Sequence, residues 1–316
     1  MAVDINTVIS KVIQLLFILI VGIYTRKRNF IGRETVKSLS KYLSNVTNPL
    51  LVLCSFQLDY SAELLRLGGK IFLGALLVHV ISALIAYFVF RPKKGSCENA
   101  IYEFTTIFGN CAFMGFPILA AVYGDIGIVY GSFYNAVFNL FFWTYGIVVL
   151  TRHKATDEKH KINLKQLILN PGVLATVCGL LLYVAQIKIP QVLLGGMKMV
   201  GDSTFPIAMI IIGALIVELD FKTAFRDVKF YIGAALKLLI IPGLTLLCCI
   251  LLRVEPLITY VLVILSGMPA ATFGAIFAEL YGVSPVTGAK IVCLTTVFSI
   301  ATIPLILFIT QTALGV

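Results

Sequence analysis

Two segments place glycine and proline inside long apolar runs, where they would interrupt a helix. They read Phe108-Gly-Asn-Cys-Ala-Phe-Met-Gly-Phe-Pro117 and Ser266-Gly-Met-Pro-Ala-Ala-Thr-Phe-Gly274. Pro117 and Pro269 each remove a backbone donor and collide with the preceding turn, so a break is predicted around each proline. The side chain of Asn110 offers an amide at the same depth. In lipid, the freed backbone groups must find partners inside the protein or in a wet cavity.

Two such breaks could create a binding site. The N-termini of half-helices present free N–H groups and a positive partial charge, which favours an anion. Broken helices at matching places of an inverted repeat are typical of a substrate site near the membrane midplane. We therefore predict that Asn110, Pro117 and Pro269 bind an anionic substrate. The alternative is that glycine and proline only kink two ordinary spans.

Ionisable side chains inside apolar runs are the next candidates. His79 and Lys237 are 158 residues apart and occupy equivalent places in the two halves of the chain. A lysine near the bilayer centre costs roughly 2.5–3.5 kcal/mol, so it is either neutralised or used. In the functional interpretation Lys237 and His79 contribute to binding of the anionic substrate, and His79 is also a candidate proton carrier. In the structural one each has a fixed partner, or Lys237 extends to the interface.

Asp202 and Glu279 are further candidates for coupling to a proton or an ion. Asp202 corresponds to Asn45 in the first half, and it would pair with a cation such as Lys198, take a proton, or bind a cation. Glu279 lies near the end of its span, where a solvated end charge is the simpler interpretation. The sequence lacks H-E-x-x-H, G-x-S-x-G and phosphate-loop motifs, so no metal, cofactor or enzymatic activity is predicted.

The elements that carry these residues are transmembrane helices. The chain has 316 residues, of which 59% are hydrophobic and 13% charged, whereas soluble domains have about 25% charged residues. A span needs roughly 20 apolar residues, so the chain is predicted to be an all-α polytopic membrane protein of about ten spans. The predicted spans are 7–25, 36–56, 69–90, 100–122, 126–150, 170–187, 193–217, 230–252, 257–280 and 285–311.

The basic residues are distributed unequally between the loops. Eighteen Lys and Arg residues fall on one side of the predicted bundle, against four to six on the other. The positive-inside rule then places the richer side, including 151–169, in the cytoplasm of a cell-membrane protein, with both termini outside. Charge in short clusters between spans argues against a nucleic-acid partner.

Seven cysteines, almost all in apolar segments and without C-x-x-C spacing, are interpreted as packing residues.

A weak internal repeat divides the chain. Leu43–Pro49 resembles Val200–Pro206, and Ile118–Gly124 resembles Ile276–Gly282, at offsets of 157 and 158 residues. Five spans per half is an odd number, so the second copy would enter the membrane upside down. This predicts inverted five-helix repeats over 1–150 and 170–316, a cytoplasmic linker over 151–169, and broken, crossing helices four and nine.

Several motifs in this order resemble the auxin efflux carrier family, which belongs to the larger group that includes the bile acid:sodium symporters. They are Asn48-Pro49, Gly109-Asn110 through Pro117, Asn170-Pro171, Met268-Pro269 with Ala278-Glu-Leu-Tyr-Gly282, and Thr295-Thr-Val-Phe-Ser299 before Pro304. The resemblance implies a scaffold of spans one, two, six and seven that often dimerises. The other six spans would form a moving transport domain, with substrate bound where spans four and nine cross.

The resemblance also bears on the substrate and on coupling. Members of the family carry malate, malonate and similar carboxylates, or auxin, which are all organic acids. The sodium-coupled relatives carry a Glu and a Gln around a Gly-Met pair in span nine, where this chain has Leu265 and Pro269. This departure argues against a sodium site of their type.

These observations predict a secondary carrier of a small organic carboxylate, such as malate, malonate or an auxin-like acid. It would work by alternating access, as a uniporter or with proton coupling. The alternatives are a carrier of an amino acid or a hydrophobic efflux substrate, a channel, and a non-transporting membrane sensor. The expected partners are the substrate, the lipid bilayer and a second copy bound through the scaffold helices.

Overall fold

The computed structural model describes residues 5–90, 97–151, 169–217, 228–272, 274 and 283–315. Regular secondary structure within these residues is helical throughout, apart from one isolated β-bridge. Helices suit so apolar a chain, because each backbone group finds its partner within its own segment and needs no water.

Eleven helices lie within the described residues. Those of the first half are α1 (Ile5–Lys27), α2 (33–55), α3 (Ala62–Phe90), α4 (Cys97–Ile107), α5 (Cys111–Tyr123) and α6 (Asp125–Thr151). Those of the second half are α7 (Pro171–Val184), α8 (Gln191–Ile216), α9 (Val228–Leu251), α10 (Pro256–Ser266) and α11 (Pro285–Leu314). By length and composition, five of them could cross a membrane: α3, α6, α8, α9 and most of α11.

Each predicted span falls on a helix or on an interrupted helix. The predicted span 100–122 comprises α4 and α5 with a break at 108–110, and the helix α10 of the span 257–280 ends at Ser266. The arrangement as two inverted five-helix repeats, with boundaries at 150 and 170, stays a prediction.

A boundary shift occurs at α3, which begins seven residues before its predicted span. Its first turns carry Glu63, Arg66 and Lys70, which a hydropathy criterion excludes. Arg66 lies 2.6 Å from Glu63, and both Arg66 and Lys70 form ion pairs with Glu255, at 2.9 and 2.8 Å. The helix therefore continues past its apolar part because these charges have partners at its end.

Three prolines within the helices each follow a locally widened turn. Three π turns each end two residues before a proline: Leu43–Thr47 before Pro49, Cys111–Gly115 before Pro117, and Leu236–Ile240 before Pro242. The extra residue of a π turn moves the carbonyl that the proline ring would strike. The break predicted around Pro117 consequently lies earlier, at 108–110, and α5 runs through the proline.

The helices pack in two groups. In the first group α1 runs along the second part of α8, while α2 packs against α7 and the first part of α8. In the second group α3 packs on α4 and α6, α9 packs on α10, and contacts of α10 with α3 and α11 with α4 join the two halves. The first group holds the helices of the predicted scaffold, and the second holds those of the predicted transport domain.

The contact between α1 and α8 depends on two glycines. A Cβ atom at Gly213 would overlap the carbonyl oxygen of Leu19, and one at Gly22 would overlap the carbonyl oxygen of Ile210. Helix association in lipid relies on close van der Waals packing, which small residues allow. The two backbones therefore touch where these glycines meet.

Gly213→Ala is expected to lower the melting temperature (Tm) by about 5 °C, because the added methyl group forces α1 away from α8. Gly243→Ala is the matched control, since nothing lies within 4 Å of its Cβ position, and it should be neutral or stabilising. Thermal unfolding of the purified protein in detergent measures both. Equal Tm values for the two variants would contradict the close approach.

Candidate functional site

The two interrupted helices pair with each other through their backbones. The N–H of Asn110 donates to the carbonyl of Pro269 at 2.7 Å, and the N–H of Ala271 donates to the carbonyl of Phe108 at 2.9 Å. These bonds form an isolated antiparallel bridge between the break at 108–110 and the segment after α10. Each break therefore supplies partners for backbone groups that the other leaves open.

Buried side chains complete this crossing. The Asn110 amide nitrogen donates to the Thr272 hydroxyl at 3.3 Å, and the N–H of Ala270 donates to the hydroxyl oxygen of Thr295 at 3.1 Å. Asn110, Thr272 and Thr295 are all buried. Because Thr295 belongs to α11, a third helix fixes the geometry of the two breaks.

A cavity of about 490 Å³ lies beside the crossing, within the size range of small-molecule sites. It lies between α2, the start of α5, the middle of α6 and the start of α7, and Ala271 adds the other break. Six asparagines line it: Asn45, Asn48, Asn110, Asn135, Asn139 and Asn170. Four aromatic side chains line it: Phe113, Phe138, Phe142 and Trp143.

The described lining contains no charged side chain. A carboxamide offers two N–H donors and a carbonyl acceptor, so this wall recognises a polar group by hydrogen bonding. The aromatic rings provide large apolar surfaces against which a hydrophobic body can pack. The cavity therefore suits a small molecule with one polar end and one apolar part.

Some hydrogen-bonding capacity in this wall is unused by the protein. Asn48 is 7% exposed, and its Oδ1 atom has no partner among the described residues. The first turn of α5, which includes Ala112, also lines the cavity. The N-terminus of α5 adds a positive partial charge at the same place.

Lys237 lies behind this wall. Its side chain is 3% exposed, its Nζ atom lies 3.3 Å from the carbonyl oxygen of Ile107, and it is absent from the cavity lining. Ile107 is the last residue of α4, so the ammonium group lies at the negative end of that half-helix. Lys237 comes from α9, which places a cation of the second half against the break of the first.

His79 is also buried beside the break. Its Nδ1 atom lies 2.8 Å from the carbonyl of Ala75 in its own helix. Since a carbonyl only accepts, Nδ1 carries a hydrogen. The imidazole centroid lies 5.2–6.5 Å from those of four aromatic rings: Phe108, Tyr134, Phe138 and Phe141.

The remaining predicted residues lie in different places. Pro269 contributes its carbonyl to the crossing, whereas Pro117 is buried within α5 and does not line the cavity. Asp202 is exposed on α8, and Lys198, its expected partner, instead pairs with Asp125 at 2.7 Å. Glu279 lies outside the described residues.

Several cavity residues were missed from the sequence. Asn135, Asn139 and Trp143 recur every four residues along α6, with Phe138 and Phe142 on the same face. This stripe of polar and aromatic residues in an apolar span was the signal that could have identified them. Asn48 and Asn170 were noted only as parts of motifs. Asn170 also caps α7, since its side-chain oxygen accepts from the N–H groups of residues 172 and 173.

Thr295→Val is expected to lower the unfolding free energy by about 1–3 kcal/mol, because it leaves the buried N–H of Ala270 without a partner. Thr310→Val is a matched control on the same helix. Thr310 is equally buried, and among the described residues its hydroxyl bonds only to the carbonyl of Ile306. Thr310→Val therefore measures the cost of losing an intrahelical hydrogen bond of the kind that Thr295 also makes. Thermal unfolding compares the two, and equal losses would show that the crossing does not depend on Thr295.

A multi-pass helical bundle with interrupted, crossing helices and a polar cavity at the crossing defines a membrane transport protein. The chain belongs to the family described as membrane transport protein, whose pattern matches residues 7–307. The resemblance to the auxin efflux carriers is thereby confirmed.

Two archaeal proteins are similar to the chain over nearly its whole length. An uncharacterized transporter of Methanocaldococcus jannaschii is 23% identical over 304 residues, which cover 93% of this chain and 96% of that protein. An uncharacterized transporter of Methanothermobacter thermautotrophicus is 23% identical over 302 residues, which cover 94% and 96% of the two chains.

Proposed function

We propose that the protein is a secondary carrier of a small organic carboxylate and works by alternating access. The observation that supports this most directly is the cavity at the crossing, with asparagine amides and the N-terminus of α5 in its wall. A carboxylate accepts hydrogen bonds and is stabilised by a helix N-terminus. Asn110, next to the crossing and at the start of α5, would donate to it.

The lining favours one class of carboxylate over another. No cationic side chain of the described residues lines the cavity, so a second negative charge would lack a direct counter-charge. Phe138, Phe142 and Trp143 instead provide apolar surface. An auxin-like acid, with one carboxylate and a flat apolar body, is therefore the preferred substrate, and malate or malonate is the alternative.

Alternating access requires that the cavity open on one side at a time. The cavity reaches the start of α7, next to the linker 151–169 that is predicted to be cytoplasmic. At the other end of α6, Asp125 pairs with Lys198 of α8. Asp125 and Trp143 are separated by about 27 Å along the helix. The proposal is therefore an inward-open state, with this ion pair joining the two helix groups on the outer side.

Proton coupling is proposed to involve His79, because this buried imidazole lies against the ring of Phe108 at the break. Lys237 would act on the substrate through its field from behind the wall. Asp202 stays as a weaker candidate for coupling, since it is exposed on α8 and does not line the cavity. Glu279 stays a candidate on the sequence alone.

A homodimer through the scaffold helices is proposed from the exposed face of α7 and α8. This face includes Leu181, Val192 and Met199, which are 64%, 93% and 78% exposed, together with Asp202. Exposure of the Asp202 carboxylate to the hydrocarbon of the bilayer would cost free energy. A second copy of the protein, packed on this face, would cover the carboxylate.

The Asn110 variants test the proposed function. A thermal-shift screen with indole-3-acetate, malate, malonate and amino acids would first select a labelled substrate for counterflow in proteoliposomes. Asn110→Ala should reduce counterflow at least about tenfold, because it removes a donor from the substrate. In Asn110→Asp the side chain has the same size as asparagine but is negatively charged. If the substrate is an anion, the counterflow rate of this variant should be no higher than that of Asn110→Ala.

The outcomes separate the alternatives. An Asn110→Asp variant that retains or gains activity would indicate a neutral or cationic substrate. Saturable counterflow excludes a sensor, and a steady ionic current without saturation would indicate a channel.

Breaking the ion pair on the outer side should change the conformational equilibrium. Asp125→Lys and Lys198→Asp each place like charges together, which should alter the counterflow rate about two- to fivefold, since exposed pairs contribute up to about 1 kcal/mol. The double variant restores opposite charges and should recover the wild-type rate. A double variant that behaves as the sum of the two single changes would show that the pair is not a contact between moving groups.

A further inference from the structure

Lys237 is a buried charge for which the described residues offer no acidic partner. Its side chain is 3% exposed, and its one hydrogen bond goes to the carbonyl of Ile107. Its titratable neighbours within the described part of the chain are Cys111 and His79, neither of which carries a carboxylate. Among the described residues, the group that balances the ammonium is the C-terminal end of α4, where the last carbonyls carry a negative partial charge.

The backbone of the break is shaped around this ammonium. A Cβ atom at Gly109 would lie 2.9 Å from Nζ and 3.0 Å from Cε of Lys237, and 3.1 Å from the carbonyl oxygen of Met268. Glycine is therefore needed at this position for the Nζ atom to come this close to the backbone of the break. The position of the lysine side chain therefore depends on the absence of a side chain at residue 109.

Two simpler roles do not fit this position. Direct contact with a substrate would require Nζ to line the cavity, but Gly109 lies between them and lines it instead. Extension to the membrane interface would direct Nζ away from the bundle centre, whereas it bonds inward to Ile107. The cation is held at the break itself.

We propose that the break at 107–109 is an internal site for a monovalent cation and that the ammonium group of Lys237 permanently occupies it. Carbonyl oxygens at a helix C-terminus are the ligands that small dissolved cations use in other broken helices. Here a tethered ammonium replaces such an ion. It positions the end of α4, and hence Asn110 at the start of α5, without a dissolved cation. The inference holds whichever anion is carried.

The experiment uses the full-length protein in detergent and measures Tm without any substrate. Lys237→Ala removes the ammonium and three methylene groups, and leaves a space that propylammonium matches. The wild type should have the same Tm in sodium and choline chloride. Lys237→Ala should have a Tm lower by about 5 °C or more, and propylammonium should restore at least about half of the loss.

Two controls separate charge from volume. Propan-1-ol fills similar space and can donate a hydrogen bond but has no charge, so it should not restore Tm. Lys237→Met keeps most of the volume without the charge, and it should lose stability without responding to propylammonium. Restoration of Lys237→Ala by propan-1-ol to the same extent as by propylammonium, or a wild-type Tm for Lys237→Met, would overturn the proposal.

A second variant keeps the proposal testable if Lys237→Ala does not fold. Gly109→Ala places a methyl group against Nζ, so it should lower Tm in the wild type. In the Lys237→Met background no ammonium is present to be displaced, so Gly109→Ala should lower Tm by a smaller amount. Equal losses in the two backgrounds would show that Gly109 is not matched to the ammonium. Because neither measurement involves a transported anion, failure here would leave the proposed carrier function to its own test.

Discussion

The structure depends on a constraint that lipid imposes on the peptide backbone. A helix that stops inside a membrane leaves N–H and C=O groups without water to receive them, so a break is tolerated only where another part of the protein supplies partners. Here the partners of one break are the backbone groups of the other: Asn110 bonds to Pro269, and Ala271 bonds to Phe108. The two breaks must therefore meet in register, which brings together segments that lie about 160 residues apart in the chain.

The cavity is a consequence of the same arrangement. Two helices that stop and cross cannot fill the space around the crossing as continuous helices would, and α2, α6 and α7 line what is left. Charge is distributed in layers around this space. Neutral amides and the first turn of α5 form the wall, while the ammonium of Lys237 lies one layer behind, at the end of α4. A cation in direct contact with an anion in a medium of low dielectric binds it strongly. A cation behind the wall acts on the cavity only through its field.

Much of the fold was accessible from the sequence because hydropathy is a local property. Each predicted span corresponds to a helix or to an interrupted helix, and Asn110 and Pro269 were correctly assigned to the interrupted segments. Pro117 was assigned to a break for a sound local reason, but the outcome depended on the backbone around it. The π turn at Cys111–Gly115 accommodates the proline ring, and the helix stops instead at 108–110, where the other break provides hydrogen bonds.

The sequence by itself determined that the chain is a helical membrane protein, which segments are apolar and helical, and which family it resembles, since composition and ordered motifs carry that information without contacts. The tertiary structure alone decided that Asn135, Asn139 and Trp143 share a cavity with residues of α2 and α7. It also decided that Lys237 lies behind the cavity wall. In a span that is apolar on every side, periodicity does not specify which face meets which neighbour. That choice is made by close packing between helices from both halves, as at Gly22 and Gly213, and by the pairing of the two breaks.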